Sequence, residues 1–215
     1  MKNTKHVGII DYGMGNIHSV NKALCVAGAG SVEIISDPER LRRADCLVLP
    51  GVGAMGDCIS GLSSRGLDSA LLELLGKRTL LAVCVGMQVL ALSSEESSTL
   101  NGLGYFPVYV KRFRNGLVDL NNKPLKIPHM GWNKVWYSPH PMFCGIDQGE
   151  WFYFVHSYRI GLTQNTASTA TCYYGEPFLA GLARGGVYAV QFHPEKSHIS
   201  GIKLYRNFLN WDGLC

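Results

Sequence analysis

Short apolar runs alternate with amphipathic stretches through the N-terminal half of the chain. His6 to Asp11 has a continuous apolar centre, the pattern of a strand buried on both faces. Asp11-Tyr12-Gly13-Met14-Gly15-Asn16 then forms a glycine-rich turn. From Asn16 to Ala29, Ile17, Val20, Ala23, Leu24 and Ala27 share one helical face. Val32 to Ile35 is the next strand. Asp37-Pro38 pairs an N-cap with proline at the first helical position, which predicts a short helix to about Ala44. Cys46 to Leu49 is a third strand ending in Pro50-Gly51-Val52-Gly53. Leu67 to Lys77 is helical, Thr79 to Val83 is a fourth strand, and a helix follows from Gly86 to Ser93. This alternation predicts a mostly parallel sheet with helices on both faces. In such sheets chemistry collects at the carboxyl ends of the strands. The turn at Asp11, the Pro50 loop and Cys84 all stand at such ends.

Beyond residue 100 the period changes. Tyr105 to Phe113, Asn133 to Trp136, Trp151 to Val155, Ala167 to Tyr173, Phe178 to Ala183 and Val187 to Phe192 read as strands separated by turns. They predict an antiparallel extension of the same sheet, so residues 1–215 read as one three-layer α/β domain. A last helix, Ser200 to Trp211, places Ile202, Tyr205, Phe208 and Leu209 on one side.

Composition narrows the possibilities. Hydrophobic residues make up 47% and charged residues 17% of 215, a globular balance. The net charge of +4 is scattered. Its densest stretch, Lys111-Arg112-Phe113-Arg114, reads as a solvated strand edge rather than a nucleic-acid site. Met1 to His6 is short and polar, without a signal-peptide core. No apolar run approaches the ~20 residues of a membrane span. The seven cysteines are odd in number and widely spaced, which points away from disulfides and zinc and toward a reducing cytoplasm.

One cysteine stands apart. Leu80 to Val83 leads straight into Cys84-Val85-Gly86-Met87-Gln88, a strand–turn–helix that exposes its apex residue. Ala82 and Gly86 supply the small neighbours such a crowded turn needs. A thiol at a helix N-terminus favours the thiolate, which is the attacking species. Gln191-Phe192-His193-Pro194-Glu195-Lys196-Ser197 follows another apolar strand and sets His193 and Glu195 beside each other. An imidazole near sulfur, oriented by a carboxylate on its other nitrogen, is the base such a nucleophile needs. The remaining histidines (His6, His18, His129, His140, His156, His198) read mostly as ordinary satisfied surface side chains. An acyl-transfer intermediate also needs backbone donors. The Val52 and Gly53 peptides can turn toward it, with the amide of Val85 as a partner.

Cys84-Val85-Gly86-Met87-Gln88 and His193-Pro194-Glu195 resemble, in this order, the nucleophile turn and histidine segment of class I, triad-type glutamine amidotransferases. Asp11 to Asn16, Pro50 to Gly53, Ser94-Glu95-Glu96, Gly102-Leu103-Gly104, Pro128-His129-Met130-Gly131-Trp132-Asn133, Tyr153 to Tyr158 and Gln191 to Ser197 narrow the likeness. They resemble the glutaminase subunits of imidazole glycerol phosphate synthases. The resemblance covers essentially the whole chain. It implies a flavodoxin-like fold, no cofactor and no metal. It implies that L-glutamine is hydrolysed to glutamate, and that the ammonia passes through the core of a (β/α)8-barrel partner in a heterodimer. There it would complete imidazole glycerol phosphate and an aminoimidazole carboxamide ribonucleotide in histidine biosynthesis. Carried over by position, Cys84 is the nucleophile, His193 the base and acid, and Glu195 its orienter. Gln88, Glu96, His156, Ser157 and Tyr158 hold the substrate, and Asn16, Trp132 and Lys196 lie near the partner interface. The resemblance further implies that the oxyanion strand near Val52 becomes competent only in the complex.

Two other functions fit the same chain. A paralogous glutaminase subunit would feed amidino-sugar synthesis. A catalytically silent interaction protein could share the fold, although a full set of triad residue types argues against it.

Overall fold

The computed structural model describes residues 5–97, 100–162 and 168–214. Cys215, most of Met1 to His6, and Ala167, which opens an expected strand, lie outside them.

The N-terminal half follows the alternation. Strands β1 (His6–Ile10), β2 (Ser31–Ile35), β3 (Cys46–Gly51) and β4 (Thr79–Cys84) are joined through helices α1 (Ile17–Ala27), α2 (Pro38–Leu41), α3 (Met55–Ser63) and α4 (Leu67–Leu74). Asp37 caps α2 as expected, its carboxylate accepting from the backbone N–H of Glu39 and Arg40 at 2.8 and 3.0 Å. The helix ends at Leu41 rather than Ala44. Helix α3 was not expected from the sequence. Its buried Met55, Cys58, Ile59 and Leu62 have helical spacing, but Gly56, Ser60 and Gly61 between them and Ser63 after them mask it.

The turn after Cys84 also departs from expectation. Helix α5 covers only Val85–Val89. The carbonyls that would continue it are taken by a returning segment: Leu103 N–H donates to Val89 O at 2.8 Å, Phe106 to Leu90 at 2.9 Å and Gly104 to Ala91 at 3.0 Å. Gly102 makes this approach possible, since a Cβ there would lie 2.1 Å from Ala91 O.

The second half adds β5 (Ser93–Ser94), β6 (Tyr109–Arg112), β7 (His129–Tyr137), β8 (Glu150–His156), β9 (Tyr158–Ile160), β10 (Ser168–Tyr173), β11 (Pro177–Arg184) and β12 (Val187–Val190). Helix α6 (His198–Asn210) closes the chain. One nine-stranded sheet has the order β2-β1-β3-β4-β12-β11-β10-β7-β8. Its first five strands are parallel, and β11 onward pairs antiparallel. The Tyr105–Phe113 segment does not extend this sheet as expected. Only Tyr109–Arg112 is a strand, and it joins β5 and β9 in a separate three-stranded sheet.

The strand order decides the chemistry. Strands β3, β4 and β12 lie side by side, so the Pro50 loop, Cys84 and the Gln191–Glu195 segment emerge together. Phe152, Phe154, Phe178 and Phe192 are fully buried beneath the antiparallel half. Each contributes about 1.5–3 kcal/mol of transfer free energy.

Candidate active site

Cys84 ends β4 with φ 56° and ψ −113°, a backbone state that strains any residue with a side chain. Neighbouring glycines make the turn possible. A Cβ on Gly86 would stand 2.1 Å from Leu49 O, and one on Gly51 would stand 2.4 Å from Gly86 N. The backbones of β3 and the elbow therefore touch without side chains between them.

Cys84 is 3% exposed and opens into a cavity of about 300 Å³. Val52, Gly53, Val85, Gln88, Glu96, His156, Ser157, Tyr158 and His193 line it, as do Pro128 and Val155. Every residue assigned to the oxyanion and substrate groups is thus gathered around the thiol. Pro128 and Val155 were not foreseen, since neither bears a chemical signature.

His193 and Glu195 flank the turn that follows β12. His193 Nδ1 lies 2.8 Å from Glu195 Oε1, and both side chains are 1% exposed. The His193 backbone is locked from two directions. Its N–H donates to Tyr153 O at 2.9 Å, and its carbonyl accepts from Ser197 Oγ at 2.6 Å. Helix α6 packs directly on this turn, because a Cβ on Gly201 would lie 1.8 Å from Pro194 O. Burial pulls the His193 imidazole down, but the charge and hydrogen bonding of Cys84, then those of Glu195, outweigh it and hold the ring above its ordinary range. With Nδ1 given to Glu195, Nε2 is left for the nucleophile.

Two side chains complete the triad's surroundings. Asn16, which the resemblance puts near a partner interface, donates from Nδ2 to Glu195 Oε1 at 3.3 Å instead of capping α1. Gln191 has no role that its sequence position alone assigns. It donates from Nε2 toward Cys84 Sγ at 3.8 Å and accepts from Gln88 Nε2 at 3.0 Å. Gln88 Nε2 also donates to Tyr158 O at 3.1 Å. A polar residue right after an apolar strand was the only signal in the sequence, and the structure shows it to be fully buried.

Besides His193, three histidines expected at the surface are buried: His129, His140 and His156. His129 and His156 form a pair, with Nδ1 of the first 2.9 Å from Nε2 of the second. His156 Nδ1 faces Tyr158 O at 2.8 Å, so it donates there and its Nε2 accepts from His129. His129 Nε2 then accepts from Asn133 Nδ2 at 3.2 Å. Burial lowers both rings, to about 3 for His129 and about 4 for His156, so both are neutral at pH 7.

Trp132 and Lys196 stand outside the cavity. Trp132 is 41% exposed and stacks on His198 at 4.9 Å, while Lys196 Nζ lies 5.7 Å over the Tyr153 ring. Of the basic stretch, Lys111 and Arg112 are exposed on β6, and Arg114 pairs with buried Glu176 at 2.8 Å.

Comparison with known proteins agrees with this geometry. The family model described as glutamine amidotransferase class-I matches residues 8–211. The imidazole glycerol phosphate synthase subunit HisH of Methylococcus capsulatus is 46% identical over 209 residues, covering 96% of both chains. The subunit of the same name from Acinetobacter baylyi is 45% identical, covering 96% of this chain and 98% of its own. Among solved structures, PurLQS from Thermotoga maritima superposes with a TM-score of 0.73 at 15% identity, covering 96% of this chain and 98% of that one. A solved glutamine amidotransferase gives 0.72 at 19% identity, covering 95% and 97%. These two likenesses concern the fold alone. The chain belongs to the class-I glutamine amidotransferases and, within them, to the family of the imidazole glycerol phosphate synthase subunits HisH.

Proposed function

We propose that this chain hydrolyses glutamine through a Cys84–His193–Glu195 triad and delivers the ammonia to a (β/α)8-barrel subunit of imidazole glycerol phosphate synthase in histidine biosynthesis. The observation that carries this reading is one cavity in which a buried thiol on a strained turn meets a histidine raised by that thiol and by Glu195. The relatives at about 46% identity carry the synthase name, which favours the histidine route over amidino-sugar synthesis.

The steps follow from the positions. The Cys84 thiolate attacks the side-chain amide carbon, and the carbonyl oxygen takes the negative charge. The N–H groups of Val85 and of the Val52–Gly53 segment bind that oxygen. His193 gives its proton to the amide nitrogen, and ammonia leaves with the C–N bond. The thioester that remains is attacked by water, whose proton His193 takes. Collapse of the second intermediate releases glutamate and restores the thiolate. Glu195 keeps the ring in one tautomer and stabilises its charge. Gln88, Glu96, His156, Ser157 and Tyr158 hold the amino acid, with the Glu96 carboxylate suited to its ammonium group.

Trp132, Lys196 and Asn16 face the partner, and Asn16 is hydrogen-bonded to Glu195. No helix among the described residues is long and apolar enough to cross a membrane. The six described cysteines are free, which supports a reducing cytoplasm.

The test uses the complex with its partner. Cys84→Ala should abolish glutamine-dependent synthesis while ammonium still supports turnover. Normal glutamine hydrolysis by the variant would sink the reading. Co-purification from the source cell should yield the barrel subunit, and capture of a sugar-pathway protein instead would redirect the ammonia.

A further inference from the structure

The loop that supplies the oxyanion donors is held from beneath by two side chains that the mechanism leaves unused. Tyr12 follows β1, the strand next to β3, and is buried. Its hydroxyl donates to Pro50 O at 2.6 Å. Cys58 lies on α3 and is fully buried. Its thiol donates to Val52 O at 3.6 Å, within the reach of a sulfur donor. The two carbonyls thus anchored flank Gly51, which pairs with Cys84 across β3 and β4.

Both donors keep their protons. Burial pushes the Cys58 thiol up to about 11, and burial together with the neighbouring Cys58 holds the Tyr12 hydroxyl well above its usual range. Helix α3 is fixed close enough for this contact. A Cβ on Gly61 would lie 2.6 Å from Tyr12 O, and the Met55 N–H at the start of α3 donates to Glu96 Oε2 at 2.7 Å.

A trans peptide is planar, with its C=O and N–H pointing in opposite directions. Anchoring Val52 O on Cys58 therefore fixes the direction of the Gly53 N–H. Cys58 belongs to the core and does not line the cavity, whereas Val52 and Gly53 do. The carbonyl turns into the protein and the N–H turns the other way. A peptide containing Gly53, at φ 84°, is otherwise free to rotate, because glycine has no side chain to oppose it.

We infer that Cys58 and Tyr12 are positioning residues, a buried thiol–phenol clamp that sets the Val52–Gly53 peptide for oxyanion binding. Neither touches the reacting atoms. The clamp acts only on the charge that develops after attack, so it governs turnover and not the affinity for glutamine. This inference rests on the triad reading above.

The experiment uses the assembled complex and three variants, Cys58→Ala, Tyr12→Phe and Cys84→Ala. For each, glutaminase kcat and KM are measured, and for Cys58→Ala, Tyr12→Phe and the wild type so is the rate at which iodoacetamide alkylates Cys84, read by mass spectrometry. Alkylation needs the nucleophile but no oxyanion site. Cys58→Ala should lower kcat about tenfold, less than outright loss of a donor, and leave KM within about twofold and the alkylation rate unchanged. Tyr12→Phe, which removes one oxygen and keeps the ring, should act in the same direction. Wild-type kcat in both variants would overturn the clamp. So would alkylation falling in step with kcat, which means the elbow itself has collapsed. Glutaminase activity surviving in Cys84→Ala would instead bring down the triad reading, and the clamp with it.

Discussion

Gly51 and Cys84 face each other across β3 and β4, and the glycine is there because the elbow's own backbone fills the space a side chain would need. Gly86, on the far side of the thiol, is equally constrained by Leu49 O. Gly86→Ala should therefore push β3 and the elbow apart. Overpacking of this kind costs about 1–3 kcal/mol, or roughly 2–12 °C in melting temperature for a chain of this size. Glutaminase activity should fall far more than stability. Thermal unfolding alongside an activity assay checks both, and an active, equally stable variant would contradict the packing argument.

Glu195→Gln keeps the shape of the dyad and removes its charge. Burial lowers His193, while the charge and bonding of Cys84 and then Glu195 raise it to a net upward shift. Taking away one raising group should move the alkaline limb of the kcat/KM profile toward lower pH and reduce kcat. A profile that keeps its alkaline limb would show that Glu195 does not influence the ring.

The same shift has a stability consequence. A raised imidazole contributes fully below its unfolded value of about 6.5 and loses that contribution as pH rises through the folded value. Removing the thiol removes the first raising group. Cys84→Ala should therefore lose less stability than the wild type between neutral and alkaline pH. Denaturant unfolding at several pH values reads the difference.

The His129–His156 pair has the opposite sign. Burial lowers both, and each ring also faces another histidine, so the folded state binds fewer protons than the unfolded chain below about 6.5. Stability should be complete at pH 7 and fall as pH drops toward the folded values of about 4 and about 3. At pH 5 the loss is about 2 kcal/mol per histidine. His129→Phe should flatten that slope, and unfolding at pH 7 and pH 5 would show whether it does.

Glu176 is buried between Arg159 and Arg114, with Arg159 Nη2 at 2.5 Å and Arg114 Nε at 2.8 Å. Burial alone would raise this carboxyl, yet the two arginines hold it below its ordinary range. Arg159→Ala leaves a buried charge half-compensated, which costs about 3 kcal/mol. The residue lies on β9 beside Tyr158, so the cavity wall should loosen and KM for glutamine rise. Unchanged stability in chemical denaturation would show that Arg114 alone suffices.

The parallel half was legible because Val48, Leu81 and their neighbours form uninterrupted apolar runs, each closed by a glycine turn or a cap. The site was legible because Cys84 and His193 fall at strand ends, where topology gathers chemistry. Helix α3 was hidden by glycines and serines, whose purpose appears only when Gly61 is seen against Tyr12 O. The short α5 was hidden because the groups that end it come from Leu103 to Phe106, a tertiary contact with no local signature. Asn16 reads in sequence only as the start of a helix, and the fold alone reveals that its amide is spent on Glu195. Gln191 needed burial, which sequence does not display.

The adjacency of β3, β4 and β12 also bears on when the thiol becomes dangerous. Cys84 leaves synthesis more than a hundred residues before His193, and the two meet only when β12 docks on β4 as a non-local parallel strand. Such pairings carry the loop-closure cost and form late in folding. A nascent or misassembled chain therefore holds an ordinary cysteine without its base. Glutamine is safe from it until the sheet is whole, so completion of the fold acts as the licence for the chemistry.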